Sequence, residues 1–294
     1  MSIPVTILGG FLGAGKTTAL NHMLRHATQR VAVLVNDFGA LNIDAALLQG
    51  ADNLVPLANG CVCCSIGPDF SASLSEILAL APERIVVEAS GVSDPWRIAQ
   101  LVKLNRQVRL EAVIVLADAL NVTAQHKDRW LSDTLARQIA RADLVALNKC
   151  DLADARTLAA AQATLQAIRP GVSVLEIAHG ALPQALLVPG RKENASALIA
   201  DAPEHGVSSW SWQSPGRFDE MRLCACLKAL PASIWRGKGV LRLTDGRVML
   251  LQLVGRRWSL EAFAGEESAL VLLGTPEMPA AAALTAAFTA ALAP

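Results

Sequence analysis

Gly10-Phe11-Leu12-Gly13-Ala14-Gly15-Lys16-Thr17 decides how the rest of this chain is read. The octapeptide fits G-x-x-x-x-G-K-[ST], the pattern of a loop that cradles phosphate. Its flanks agree: Ile3 to Leu8 reads as a short buried strand, and Thr18 to Arg25 as a helix. Strand, glycine-rich turn and helix is the order the mechanism needs. Glycines let backbone N–H groups close around phosphate oxygens, and a helix N-terminus adds partial positive charge. The cradle is expected from Gly10, Gly13, Ala14, Gly15 and Thr18. Lys16 is expected to reach the β- and γ-phosphates, and the Thr17 hydroxyl to bind Mg²⁺.

Downstream, apolar runs at Val31–Val35, Ile85–Glu88, Ala112–Ala117, Leu144–Leu147 and Val172–Ile177 alternate with helical patterns. That alternation implies an α/β fold, a mainly parallel sheet with helices on both faces. Near residue 190 the texture changes. Pro189 to Asn194 reads as exposed linker, and the elements after about 207 are shorter. Two of them meet at Asp245-Gly246, a hairpin dipeptide. Four of the six tryptophans (Trp210, Trp212, Trp235 and Trp258) fall in this part, as suits a small core that leans on large side chains. The expected organisation is a nucleotide-binding domain over 1–190, a linker over 191–206 and a smaller α+β domain over 207–294.

The totals remove some classes of function. Net charge is zero, so the basic excess of a nucleic-acid binder is missing. No apolar run approaches the length of a membrane span. The N-terminal apolar run flows directly into the phosphate loop, which makes it a strand rather than a signal peptide. Six cysteines in such a chain suggest a reducing cytosol, where clustered thiols point to metal or redox work.

Three further constellations carry chemistry. Asn148-Lys149-Cys150-Asp151 ends a buried strand. In N-K-x-D the Asp carboxylate accepts from guanine N1–H and the 2-amino group, which adenine cannot match, while the Lys stem lies on the base plane. GTP is therefore expected over ATP. Glu88 ends the third strand, where phosphate-loop proteins place a carboxylate to hold Mg²⁺. Glu is longer than the usual Asp, so a water-mediated contact is expected. Gly91, three residues on, is placed to offer its N–H to the γ-phosphate. Cys61, Cys63 and Cys64 lie in one turn, and thiolates suit Zn²⁺ and similar ions. In extended backbone Cys61 and Cys63 share a side and Cys64 points away, which ranks Cys64 third. Three thiols leave a tetrahedral site incomplete, as suits an exchangeable ion. A redox cluster is the competing reading. Cys224 and Cys226 fall in a helical pattern that sets them about 200° apart, so core packing is expected there.

Together these residues resemble the CobW-type branch of the P-loop GTPases, metal chaperones and metallocofactor assembly factors related to UreG and HypB. Gly9 to Thr18 is similar to the family's phosphate loop, and Asn36-Asp37-Phe38-Gly39 to its first switch. Asn59 to Cys64 is similar to its metal motif, and Glu88 to Gly91 with Asp94-Pro95 to its second switch. Asn148 to Asp151 and Ala178-His179-Gly180 resemble its guanine-side loops, and the stretch with Arg236-Gly-Lys-Gly239 its C-terminal domain. The resemblance implies GTP hydrolysis with Mg²⁺, using Lys16, Asp37 and Glu88. It also implies delivery of Zn²⁺ or Co²⁺ to a client metalloprotein or metallocofactor-assembly protein, with a homo-oligomer left open. Two departures stand out. Asp37 takes the place of a commoner Glu, and the linker carries only His205 where many members are His-rich. The rival readings are a small-molecule kinase and a metal sensor with a regulatory nucleotide.

Overall fold

In a computed structural model the described residues are 2–25, 27, 30–35, 54–56, 68–183, 186, 208–263 and 268–293. Their contacts divide the chain into two compact units, Met1–Leu187 and Val188–Pro294.

The first unit is built on a parallel sheet. Its strands among the described residues are β1 (Ile3–Gly10), β2 (Val31–Val35), β3 (Leu54–Pro56), β4 (Arg84–Glu88), β5 (Val108–Asp118), β6 (Leu144–Asn148) and β7 (Val174–Glu176). They lie in the order β3-β2-β4-β1-β5-β6-β7, and every pairing is parallel. The helices are α1 (Lys16–Arg25), α2 (Pro68–Ala79), α3 (Pro95–Leu104), α4 (Val122–Lys127), α5 (Ser132–Ala140) and α6 (Ala155–Ile168).

Side chains alternate across the strands, so each face has its own core. On one face Val5, Ile7, Ile85, Val87, Val113, Val115, Val145 and Leu147 pack against α2, α3, α5 and α6. On the other face Leu8, Val86 and Ile114 are buried, and α1 brings Ala19, Leu20, Met23 and Leu24. β1 is central, and the chain passes from β4 across it to β5. Outside the carboxyl ends of strands at such a reversal is where open α/β sheets bind ligands.

Two helix starts have local causes. The Asp94 carboxylate accepts from Trp96 N–H, and Pro95 occupies the first turn of α3, where its missing N–H costs nothing. Asp154 accepts from Thr157 N–H at the start of α6.

β5 starts four residues earlier than its apolar run suggests. Arg109 and Glu111 interrupt the run, yet Glu111 is buried. Its carboxylate pairs with the Arg84 guanidinium, which also donates to Thr6 Oγ1 at 3.1 Å. The three residues link the central strands β4, β1 and β5. Among the described residues no helix is long and apolar enough to cross a membrane.

The second unit contains β8 (Ser208–Ser214), α7 (Glu220–Ala229), β9 (Ile234–Arg242), β10 (Val248–Val254), β11 (Arg257–Ala262), β12 (Ser268–Gly274) and α8 (Ala281–Ala290). The strands form an antiparallel sheet in the order β11-β10-β9-β12-β8. Asp245-Gly246 makes the β9–β10 turn, with Gly246 at φ +87°. Trp210 stacks on Phe288 with ring centroids 5.4 Å apart, and Trp212 sits 5.7 Å from Phe218. Leu251, Leu253, Leu270 and Leu272 complete this core.

The ion pair yields a stability test. Glu111→Ala leaves the Arg84 charge buried without its anion and should cost about 3–5 kcal/mol, whereas Arg84→Met/Glu111→Leu should cost far less. Urea unfolding checks this. Equal losses in the two variants would contradict the assignment.

Candidate functional site

The phosphate loop joins β1 to α1. Gly10, Gly13 and Gly15 have φ of +134°, +76° and +97°, conformations that cost a side-chain-bearing residue dearly. The first helical bond runs from Ala19 N–H to Gly15 O at 2.9 Å. N–H groups earlier in the helix therefore have no acceptor within it, which makes this end a site for anions. Lys16 Nζ folds over the loop, donating to Gly10 O at 3.0 Å and Phe11 O at 3.3 Å. Thr17 Oγ1 donates to Glu88 Oε1 at 3.2 Å. Glu88 is buried at the end of β4. A hydroxyl beside a carboxylate at the mouth of a phosphate loop is the hard oxygen donor set that Mg²⁺ takes, so the residues fit that ion.

Asn148, the last residue of β6, ties this loop to a second one. Its Nδ2 donates to Ala14 O at 2.9 Å, and its Oδ1 accepts from Gly180 N–H at 3.1 Å. A Cβ on Gly15 would stand 2.3 Å from Asn148 Nδ2, so no side chain fits there. Gly180, at φ +70°, lies against the first turn of α1, where a Cβ would meet Ala19 N at 2.7 Å. Asn148 is thus spent bridging two loops. Lys149 follows at φ +65°, and its Nζ donates to Asp118 Oδ2 at 2.6 Å. Asp151, in a 3-10 turn at Cys150–Leu152, lies 3.5 Å from the exposed His179 Nε2. The structure therefore gathers Asn148, Lys149, Asp151 and the 178–180 loop beside the phosphate loop.

The loop after β4 packs onto the same site. A Cβ on Gly91 would fall 2.9 Å from Leu12 N and 2.6 Å from its side chain, so only glycine fits this approach. Pro95 abuts Gly9. The buried Gln138 of α5 donates to Gly91 O at 3.2 Å and Ser93 O at 2.9 Å, tying that loop to the helix layer.

Asp37, Cys61, Cys63, Cys64 and His205 lie outside the described residues. Of the remaining thiols, Cys150 and Cys226 pack against the two cores, whereas Cys224 is half-buried and belongs to neither cluster. Burial, with the Glu176 and Asp151 carboxylates nearby, pushes the Cys150 thiol up to about 11, and it donates to Leu147 O at 3.1 Å. Burial also raises Cys226, which packs with Leu223 and Leu227 of α7 in the second core. Among the described residues no cluster of three metal-ligating side chains occurs.

Asp118 and Gln138 are contributors that sequence reasoning passed over. An acid at a strand's carboxyl end, one strand before the N-K-x-D strand, was the available signal for Asp118. A glutamine inside a helix gives none.

Comparison with known proteins bears on the family. A family model described as CobW/HypB/UreG, nucleotide-binding domain, matches residues 4–176. A second, Cobalamin synthesis protein cobW C-terminal domain, matches residues 207–292. The chain is 34% identical over 239 residues to a Pseudomonas aeruginosa protein named Zinc chaperone CobW, covering 69% of this chain and 64% of that relative. It is 25% identical over 298 residues to a Dictyostelium discoideum protein named Zinc-regulated GTPase metalloprotein activator 1, covering 81% and 62%. The match spans less than two thirds of the length of either relative. The Zn(II)-bound YjiA GTPase structure from E. coli is similar at 24% identity and a TM-score of 0.47, covering 99% of each chain.

The Asn148 bridge can be broken alone. Asn148→Ala removes both bonds and should weaken binding of a fluorescent guanine nucleotide about tenfold or more. Affinity within about twofold of the parent, measured by titration, would show that the bridge does not shape the site.

Proposed function

We propose that this chain, which belongs to the CobW/HypB/UreG family of nucleotide-binding proteins, is a GTP-hydrolysing metallochaperone. Residues 1–190 form its nucleotide-binding domain and 207–294 its C-terminal domain, joined by a linker over 191–206. The supporting observation is the Asn148 bridge, which joins the phosphate loop to the N-K-x-D loop in one site.

In this account Lys16 leaves the Gly10 and Phe11 carbonyls and takes the β- and γ-phosphate oxygens. Gly13, Ala14, Gly15 and Thr18 contribute to the cradle, and Gly91 offers its N–H at the γ-phosphate. Thr17 and Glu88 hold Mg²⁺, which neutralises charge on the phosphate oxygens when bound. Water attacks the γ-phosphorus and the bond to the β–γ bridging oxygen breaks, giving GDP and phosphate. Lys16 stabilises the charge that gathers on the oxygens during this step. Asp151 selects guanine by accepting from N1–H and the 2-amino group, and the Lys149 stem covers the base.

The cargo is Zn²⁺ or Co²⁺, held by Cys61 and Cys63 with Cys64 third in rank. The relatives' names, a zinc chaperone and a zinc-regulated GTPase activator, favour zinc. The thiol turn lies in the chain between Asp37 and Glu88, the two acids assigned to the switches. Ordering the switches around a γ-phosphate then changes the geometry of the thiolates. By linkage, metal changes nucleotide affinity by the same factor. The client is a metalloprotein or a metallocofactor-assembly protein, and the site of action is the cytoplasm, where thiols stay reduced.

Titrating Zn²⁺ into the reduced protein with GTP, with GDP and without nucleotide tests the coupling. Affinity should differ between the GTP and GDP states by about fivefold or more. Cys61→Ala/Cys63→Ala should lose the high-affinity site. Equal affinity in all three states would sink the coupled chaperone, and unchanged binding by the variant would remove the thiol turn as its site.

A further inference from the structure

We propose that Asp118 is a positioning residue of the nucleotide site. Its buried carboxylate fixes Lys149, and through Lys149 it sets how the base is covered. This rests on the guanine-site reading of Asn148 to Asp151.

Asp118 is the last residue of β5 and stands beside Asn148 in the strand register. Ala119 N–H donates to Asn148 O at 2.9 Å, continuing the ladder past the strand end. The carboxylate is only 4% exposed at the residue level and is fully used. Oδ2 accepts from Lys149 Nζ at 2.6 Å and from Asn121 Nδ2 at 2.9 Å. Oδ1 accepts from Leu120 N–H at 2.9 Å. Burial alone would push this acid toward its neutral form. The Lys149, Asn121 and Leu120 donors outweigh it and hold the carboxyl below its ordinary value.

Lys149 needs such an anchor. It sits at φ +65°, a region that non-glycine residues enter only when their surroundings hold them there. That conformation turns the chain out of β6 and into the 3-10 turn carrying Asp151. With the ammonium held by Asp118, the methylene stem is left to cover a purine face. Lys149 then contributes apolar surface to the base rather than a free charge.

The neighbouring side chains allow a turn-forming role to be separated from this one. Asp118→Asn retains an oxygen for Leu120 N–H but removes the anion facing Lys149. Asn121→Ala takes away another donor of the same turn and leaves the Asp118–Lys149 pair intact. The experiment titrates fluorescent GDP, IDP and ADP into the full chain. It compares the parent with Asp118→Asn, Lys149→Ala, their double variant and Asn121→Ala, with thermal midpoints alongside.

Asp118→Asn should weaken GDP and IDP by the same factor, about tenfold, because cover of the base face ignores the 2-amino group. The double variant should bind no more weakly than Lys149→Ala, and Asn121→Ala should stay within about twofold of the parent. The proposal is overturned if Asp118→Asn binds like the parent, or if the two losses multiply in the double variant. It is also overturned if Asn121→Ala loses as much affinity as Asp118→Asn. Preference of the parent for ADP would remove the guanine reading instead. The coupling between positions 118 and 149 would then be read with the adenine probe and decided on the same criteria.

Discussion

The carboxamide of Asn148 holds two loops that arrive from distant parts of the chain. One end binds the carbonyl of Ala14 and the other the N–H of Gly180. Both partners are buried main-chain groups, so leaving either unmatched would be costly. Gly15 has no room for a side chain because the Asn148 amide occupies that space. Gly180 has none because α1 is there. The phosphate loop, the start of α1 and the base-side loops are therefore placed relative to one another by a single side chain at the end of β6. A nucleotide spanning these loops meets a surface arranged in advance, and little ordering is left to oppose binding.

Charge is distributed along the sheet with the same economy. Towards the amino ends of the central strands, Arg84 Nη1 pairs with Glu111 and donates to Thr6 inside the core. At the carboxyl ends, Lys16, Thr17, Glu88, Asp118 and Lys149 engage in contacts that a ligand can replace or exploit. Lys16 rests on carbonyl oxygens and Thr17 on the Glu88 carboxylate. Both are partners that phosphate oxygens and Mg²⁺ exceed in charge or field. The Asp118–Lys149 pair is different in kind: it joins an acidic to a basic side chain, and Lys149 leads into the 3-10 turn that carries Asp151.

The phosphate loop and the apolar strands were legible in the sequence because their signals are local. A fixed glycine spacing and unbroken apolar runs need no knowledge of neighbours. The start of β5 was hidden because Arg109 and Glu111 look solvated, and only the distant Arg84 makes Glu111 a core residue. β3, three residues long, and α4, six residues long, carry too few residues to show a period. In N-K-x-D the motif was visible, but the duty of its Asn as a brace was not, since Ala14 lies 134 residues away in the chain. Asp118 was overlooked for a related reason, because an acid ending a strand looks like an ordinary exposed one. For Asp37, Cys61, Cys63 and Cys64, outside the described residues, the reading rests on the motif and on the donor character of cysteine and aspartate.

The central claim is that Asp151, held beside the phosphate loop through Asn148 and Lys149, chooses the base. On this reading its carboxylate accepts two hydrogen bonds from guanine, whereas xanthine presents a carbonyl in place of the 2-amino group. An amide at position 151 would donate to that carbonyl. The direct measurement is steady-state phosphate release by the parent and by Asp151→Asn with GTP and XTP. The account predicts that the parent turns over GTP in preference to XTP, and that Asp151→Asn reverses the order. Retention of the GTP preference by Asp151→Asn would contradict it.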